Sequence, residues 1–150
     1  IMKKYILLLF IITTSCVYNN GGSTQIDYYN SENTKKLDFP FSDATIVNNV
    51  IYVAGQVGNI PGTNEIVSGG IKEETKQTMK NIESVLLKLG SSMDKVFKCT
   101  CMLSDISEWS QMSEEYIKFF KDNKRPSRSA FAGTGLALGA KVEIECWAIK

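Results

Sequence analysis

One arginine and one pair of glutamates near the C-terminus have the residue types and spacing for chemistry on a small carboxylate. Arg128 follows Pro126 in a Pro-x-Arg-Ser pattern, and Glu143 and Glu145 alternate along a later stretch. A guanidinium binds a carboxylate through two parallel hydrogen bonds and stays charged at any relevant pH. A glutamate can orient a water molecule or accept its proton. The alternation alone does not choose between Glu143 and Glu145, and each charged residue by itself is also typical of a solvated strand surface.

The cysteines and the absence of histidine limit the kinds of catalysis and metal binding that the chain can support. The chain has no histidine, which argues against a histidine base and against most metal sites. If Cys16 is set aside, Cys99, Cys101 and Cys146 remain, and an odd number does not suggest a disulfide framework. The Cys-x-Cys pair at 99 and 101 could hold a soft metal, but in a strand both side chains would share a face with core residues. We therefore predict buried structural thiols and no metal.

The N-terminal residues have the pattern of an export signal. Two lysines follow Met2, residues 5–12 are apolar, and small residues precede Cys16. This pattern is typical of a bacterial lipoprotein signal in which Cys16 becomes the lipidated first residue of the mature chain. A plain secretory signal or an N-terminal helix is the alternative, and a secreted or cytoplasmic protein would follow if the signal is misread. We predict a signal at 1–15, a polar Gly/Ser/Asn-rich tether at 16–25, and a folded domain at 26–150, anchored by lipid in the cell envelope.

Net charge speaks against a nucleic-acid partner. The 150-residue chain carries 17 basic and 16 acidic residues. Removing residues 1–15 takes away two lysines and no acid, which changes the net charge from +1 to −1. No run of basic residues remains to bind a polyanion, so we expect no nucleic acid among the partners.

Hydrophobic periodicity predicts the elements that must position Arg128 and the two glutamates. Apolar residues alternate in the predicted strands and recur with a 3.6-residue period in two predicted helices. The first helix follows Gly69 and ends at Gly90, and the second opens at Asp105. The strands are predicted at 26–30, 44–47, 50–54, 96–103, 127–132 and 141–149. A β-β-β-α-β-α-β-β order predicts an α+β domain in two layers, a mixed sheet with two helices on one face.

Two of these stretches also assign side chains to faces. In 141–149, Val142 and its alternate neighbours are apolar, so Glu143 and Glu145 should share the opposite face. In 96–103, strict alternation places Phe97 on the same inward face as Cys99 and Cys101. The second helix has an apolar stripe comprising Ile106, Trp109, Met112, Tyr116 and Phe119/Phe120.

The combination of patterns resembles the RidA/YjgF family, also called endoribonuclease L-PSP. The matching pieces are spread over about 26–150, and each alone would be weak evidence. They include the interval from Arg128 to Glu143, Val53-Ala54-Gly55-Gln56, Ser68-Gly69-Gly70-Ile71 with Gln77-Thr78 and Asn81-Ile82, Lys98-Cys99-Thr100, and Tyr116 with Phe119 and Phe120.

The resemblance implies a YjgF/chorismate mutase-like fold, a homotrimer with a barrel-like centre, and active sites in clefts between subunits. It implies that Arg128 binds the substrate carboxylate and that Glu143, the first glutamate of the pair, places or activates water. It further implies that backbone groups at Ala130 hold the ligand and that Gly55 shapes the pocket wall. No cofactor is implied.

Three positions depart from the family pattern. Phe41 stands where the family has a tyrosine, Ala54 where it has a serine, and Ser113 where asparagine is common. Phe41 and Ser113 would still border the substrate, in a pocket with fewer hydrogen-bond partners. Such a pocket discriminates less well among small polar substrates.

Three functions follow as hypotheses. The first is an enamine/imine deaminase-like hydrolase that converts 2-imino acids to 2-oxo acids and ammonia. The second is a non-catalytic module that binds small carboxylates, which the lost hydroxyls at Phe41 and Ala54 favour. The third is ribonuclease action, against which the missing histidine and the negative mature charge argue.

Overall fold

The computed structural model describes residues 24–150, which form one sheet flanked by helices. The predicted signal at 1–15, the lipidation at Cys16 and most of the predicted tether lie outside the described residues. No helix within 24–150 is long and apolar enough to cross a membrane. The elements in chain order are β1 (Ile26–Tyr29), α1 (Glu32–Lys36), β2 (Ala44–Val47), β3 (Val50–Val57), α2 (Gly70–Lys88), β4 (Val96–Leu103), α3 (Trp109–Tyr116), β5 (Ser127–Ala132) and β6 (Val142–Ile149).

The sheet is mixed, as predicted. Its six strands lie in the order β1-β2-β3-β6-β4-β5. Only β4 and β5 run parallel, because the chain crosses through α3 between them. The other neighbours are antiparallel. The two-layer α+β architecture is confirmed, with the last strand, β6, inserted at the centre between β3 and β4.

Helix α2 covers one face of the sheet through a continuous apolar stripe. Met79, Ile82 and Leu86 are fully buried, and α2 packs against β3 and β6 and beside α3. Gly90 ends the helix as predicted. Its φ of 75° allows the Ser91 amide to donate to the Leu86 carbonyl, which closes the last turn.

Strand alternation correctly predicted β6 but failed at one residue of β4. Val142 and Ile144 of β6 are completely buried on the helix-covered face. In β4 the register shifts between Val96 and Lys98, so a bulge turns Phe97 outward, where it is 41% exposed. The prediction that Phe97 faces the core was therefore wrong.

The cysteines also differ from the prediction. Cys99 of β4 and Cys146 of β6 lie directly opposite each other and are joined by a disulfide, while Cys101 is a free, buried thiol. Counting thiols along the chain could not show that these two face each other, because the pairing depends on the insertion of β6 beside β4.

Two short segments were not anticipated in this form. Helix α1 has five residues and was not predicted; it is capped by Ser31, whose hydroxyl accepts from the Thr34 amide at 3.2 Å. The Ser31 amide in turn donates a hydrogen bond of 2.6 Å to the carboxylate of Asp43, which lies outside the helix. The apolar stripe predicted for the helix that opens at Asp105, which corresponds to α3 and the turn before it, is buried only in part, since Ile106 is 53% exposed.

Candidate active site

Arg128 lies between two aromatic rings on the helix side of the edge strand β5. Its partner in the parallel register is Cys99, whose side chain is in the core. The guanidinium carbon is 4.9 Å from the ring centre of Tyr116 and 5.2 Å from that of Trp109. Both distances are in the range of cation–π attraction. The two rings of α3 therefore hold a half-buried arginine whose charge is open to a ligand at the sheet edge.

Arg128 and two buried hydroxyl groups of α3 lack polar partners among the described residues. No carboxylate within 24–150 lies within 4 Å of the guanidinium. The hydroxyl oxygens of Ser113 and Tyr116 are buried without a hydrogen-bond partner in the same part of the chain. Buried polar atoms are normally hydrogen-bonded, and exceptions need a reason. The guanidinium of Arg128 is therefore free to pair with an anionic ligand, and a bound carboxylate would neutralise its charge.

Ionisation near Arg128 is suppressed. Burial raises the pKa of the Cys101 thiol to about 11, against the opposing effect of the nearby Arg128 charge. Burial likewise raises the pKa of Tyr116 well above its ordinary value, and Cys101 adds to the effect while Arg128 opposes it. Both groups are therefore neutral at physiological pH, and Arg128 keeps the only formal charge of this group of three. Ala130, two residues further along β5, lies on the same face.

Glu143 projects from β6 on the opposite face, with its carboxylate beside Gly55. Its register partners are Val57 of β3 and Met102 of β4. A Cβ atom at residue 55 would overlap the Glu143 Oε1, so glycine leaves room for the carboxylate in the position that it occupies. Burial raises the pKa of Glu143, and Glu145 adds a smaller increase. A raised pKa brings a carboxylate closer to the proton affinity that suits a general base near neutral pH.

A pocket of about 650 Å³ opens beside Glu143, where β3 ends and β6 begins. Gly55 and Phe41 lie in its wall, whereas Glu145 does not. The pattern of alternating glutamates had left this choice open. Pockets of roughly 300–1,000 Å³ are typical for small-molecule ligands.

Several wall residues escaped the sequence reasoning. Phe39, Leu138 and Asn81 line the same pocket, as do Lys80 and Lys88. They come from loops and from α2, so no local pattern connects them with Glu143. In the loops, the Gly-rich stretch 133–139 predicts a bend, but it does not predict that Leu138 lines a pocket.

The candidate residues thus form two groups within one chain. Arg128, Ala130 and Ser113 belong to the helix side beside α3, and Phe41, Gly55 and Glu143 belong to the pocket, whose wall also includes residues of α2. Arg128 is level with Cys99 and Glu143 with Met102, two strands apart in the sheet. Strand spacing and rise put their Cα atoms about 14 Å apart, with the side chains diverging. A single small substrate therefore cannot contact both groups of the same chain.

The comparison with protein families settles the ancestry of this arrangement. A family model described as endoribonuclease L-PSP matches residues 34–150. The chain belongs to the endoribonuclease L-PSP family. This confirms the resemblance inferred from the sequence, which covered nearly the same residues.

Relatives within the endoribonuclease L-PSP family include enzymes that act on imines. The 2-iminobutanoate/2-iminopropanoate deaminase of Homo sapiens is 39% identical over 111 residues, 74% of this chain and 80% of that protein. A RutC family protein of Pyrococcus abyssi is 38% identical over 120 residues, 80% of this chain and 94% of that protein. The crystal structure of YyfA from Yersinia pestis, of the Rid protein family, superimposes with a TM-score of 0.77 at 33% identity, covering 84% of this chain and 100% of YyfA.

Proposed function

We propose that this protein is an enamine/imine deaminase-like hydrolase that converts 2-imino acids to 2-oxo acids and ammonia. The observation that carries the proposal is the pair of complementary groups: an arginine without an acidic partner among the described residues, and a half-buried glutamate with a raised pKa beside a pocket. The deaminases among its relatives act on substrates with the carboxylate and imine that such a pair fits.

The complete site is built between copies of the chain. Arg128 and Glu143 leave opposite faces of the sheet about 14 Å apart, so the two join only if Arg128 of one copy faces Glu143 of another. A homotrimer arranged around the open face of the sheet provides three such clefts. Exposed apolar side chains on that face, Phe97 and Trp147 among them, support a buried role for it in an oligomer.

In the proposed mechanism Arg128 holds the substrate carboxylate through its two-pronged hydrogen bonds, and the Trp109 and Tyr116 rings keep the guanidinium in place. An enamine substrate first takes a proton at carbon and becomes the imine. Glu143 accepts a proton from water as the water oxygen adds to the imine carbon. That proton then moves to the nitrogen, which gives a carbinolamine. The hydroxyl proton passes to the amino group as the C–N bond breaks, so ammonia leaves and the 2-oxo acid forms. Atoms balance with water as the only co-reactant.

A lipid anchor at Cys16 and a place in the bacterial cell envelope belong to the same proposal. The disulfide between Cys99 and Cys146 supports export, because structural disulfides persist in oxidising compartments and are rare in the cytosol. The substrate would then be an imine that arises outside the cytoplasm.

A non-catalytic carboxylate-binding module is the second candidate. Its support is the loss of hydroxyls at Phe41 and Ala54, which removes donors that could position water or an amine. The same two groups would then hold a carboxylate ligand without turning it over.

An imine-hydrolysis assay separates the two candidates. An L-amino acid oxidase generates the imine in situ, semicarbazide traps what remains, and slower semicarbazone formation reports hydrolysis. Arg128→Ala should abolish the activity, whereas Arg125→Ala should retain it, because Arg125 only forms an exposed ion pair with Asp122. Hydrolysis that survives in the Arg128→Ala variant would refute the mechanism. An inactive wild type that still binds 2-oxobutyrate through Arg128 would favour the binding module.

A further inference from the structure

The pocket beside Glu143 is much larger than the substrate of the named relatives requires. A 2-imino acid with a two-carbon side chain has seven non-hydrogen atoms, whereas the pocket encloses about 650 Å³. Pockets of that size normally hold ligands of drug-like dimensions. Within a single chain, before the copy that supplies Arg128 closes the cleft, a small aliphatic substrate would cover only part of this wall.

Part of the pocket wall is apolar and aromatic. Phe39 and Phe41 stack on each other, with ring centres 5.3 Å apart and planes inclined by 17°. Phe41 is 49% exposed and Leu138 47% exposed, although both are large apolar side chains. Leu138 holds a left-handed conformation, with φ at 59°, which a leucine rarely adopts. Strained residues of this kind concentrate where a ligand is clamped.

Two polar side chains of the pocket, Asn81 and Asp43, are already hydrogen-bonded within the protein, whereas Lys80, Lys88 and Gln56 have no side-chain partner among the described residues. The Asn81 amide nitrogen donates to the carbonyls of Val57 and Asn59 at 3.0 and 3.1 Å, and its oxygen accepts from Gln77 at 2.8 Å. The Asp43 carboxylate accepts from the Ser31 amide at 2.6 Å. Asn81 and Asp43 therefore shape the wall. The free lysines could attract the carboxylate that every 2-imino acid carries, so the distinction between one substrate side chain and another is left to the aromatic surface.

We infer that the pocket accepts 2-imino acids with aromatic side chains, of the 2-imino-3-arylpropanoate class. The inference rests on the proposed function and names its substrate class. The aryl group would lie against the exposed face of Phe41, an arrangement in which aromatic rings attract each other at centre-to-centre distances of about 4.5–7 Å. Leu138, in the loop between β5 and β6, would cover the aryl ring of the substrate. Phe41 and Leu138 are then specificity-determining residues, and the reaction at the imine carbon is unchanged.

The test compares kcat/KM for an aryl and an ethyl side chain. L-Phenylalanine and L-2-aminobutyrate, each with an amino acid oxidase, supply the two imines. We expect the wild type to prefer the aryl imine by on the order of 10-fold or more, the discrimination that hydrophobic contacts give. Phe41→Ala should lose this preference mainly through KM, and Phe41→Tyr, which keeps the ring, should retain it. Tyr28→Ala is the matched control, since Tyr28 is 70% exposed and does not line the pocket.

Calorimetric titration with 3-phenyl-2-oxopropanoate and 2-oxobutyrate keeps this test independent of turnover. Selective, Phe41-dependent binding of the aryl 2-oxo acid by an inactive protein would overturn the deaminase proposal and support the ligand class. An active enzyme that hydrolyses the ethyl imine as well as the aryl imine would overturn the ligand class and leave the deaminase intact. Equal binding of both 2-oxo acids by an inactive protein would overturn both.

Discussion

Replacing Gly55 with alanine tests whether the position of the Glu143 carboxylate determines the rate. The new methyl group would overlap Oε1 of Glu143, so the carboxylate has to move. The backbone itself does not resist the change, because Gly55 is not among the residues with positive φ. Since the carboxylate is half-buried and can rotate away, unfolding should become easier by only about 1 kcal/mol, the low end for overpacking.

The effect on activity should be far larger than the effect on stability. A misplacement of about 1 Å in a catalytic group lowers the rate on the order of 100-fold. We therefore expect kcat/KM for imine hydrolysis to fall about 100-fold in Gly55→Ala, equivalent to about 2.7 kcal/mol in the activation free energy. The semicarbazide competition assay and a urea titration on the same preparation measure the two effects.

Two further variants make the comparison specific. Gly135→Ala adds the same methyl group where no atom lies within 4 Å, so its activity should equal that of the wild type. Glu143→Asp shortens the acid, and the Gly55→Ala/Glu143→Asp double variant should lose less than the product of the single losses, because the shorter side chain relieves the overlap. Wild-type kcat/KM in Gly55→Ala, or strictly multiplicative losses in the double variant, would refute the assignment of Glu143 as the positioned base.

Three other variants have definite expectations. Because the pKa of Glu143 is raised in the folded protein, the folded state binds more protons than the unfolded state between the ordinary glutamate pKa and the raised value, and the free energy of unfolding declines as pH rises through that window. Glu143→Gln should therefore flatten the decline of the melting temperature with pH and abolish turnover. An unchanged decline would contradict the raised pKa. Arg128→Lys keeps the charge but loses the fork, so kcat/KM should fall about 100-fold, against no change in Arg125→Lys; equal activity would show that a point charge suffices. Without reductant, Cys146→Ala should lower the free energy of unfolding by up to about 4 kcal/mol, which is the loop-closure entropy for a separation of 47 residues. Dithiothreitol should reduce the difference in stability between this variant and the wild type. A wild type whose stability does not respond to reductant would show that the disulfide does not form.

Local sequence patterns correctly predicted strand positions, strand faces and the end of a helix. Alternation placed β4 at 96–103 as observed and put Glu143 and Glu145 opposite the buried side of β6, because neighbouring side chains of a strand necessarily point to opposite faces. Gly90 predicted the end of α2, since few other residues adopt the positive φ that closes the last turn. The short helix α1 escaped, because a side chain from outside it, Asp43, helps to hold it.

The sequence by itself determined which residues are available for chemistry: an arginine preceded by a fixed proline, two alternating glutamates, and no histidine. The tertiary structure decided which of them meet. It put Glu143 rather than Glu145 beside the pocket, joined Cys99 to Cys146, and sent Arg128 and Glu143 to opposite faces of one sheet. The physical reason is that strand order and register are set by burial of the whole apolar face, a sum over many distant residues that no short stretch of sequence contains.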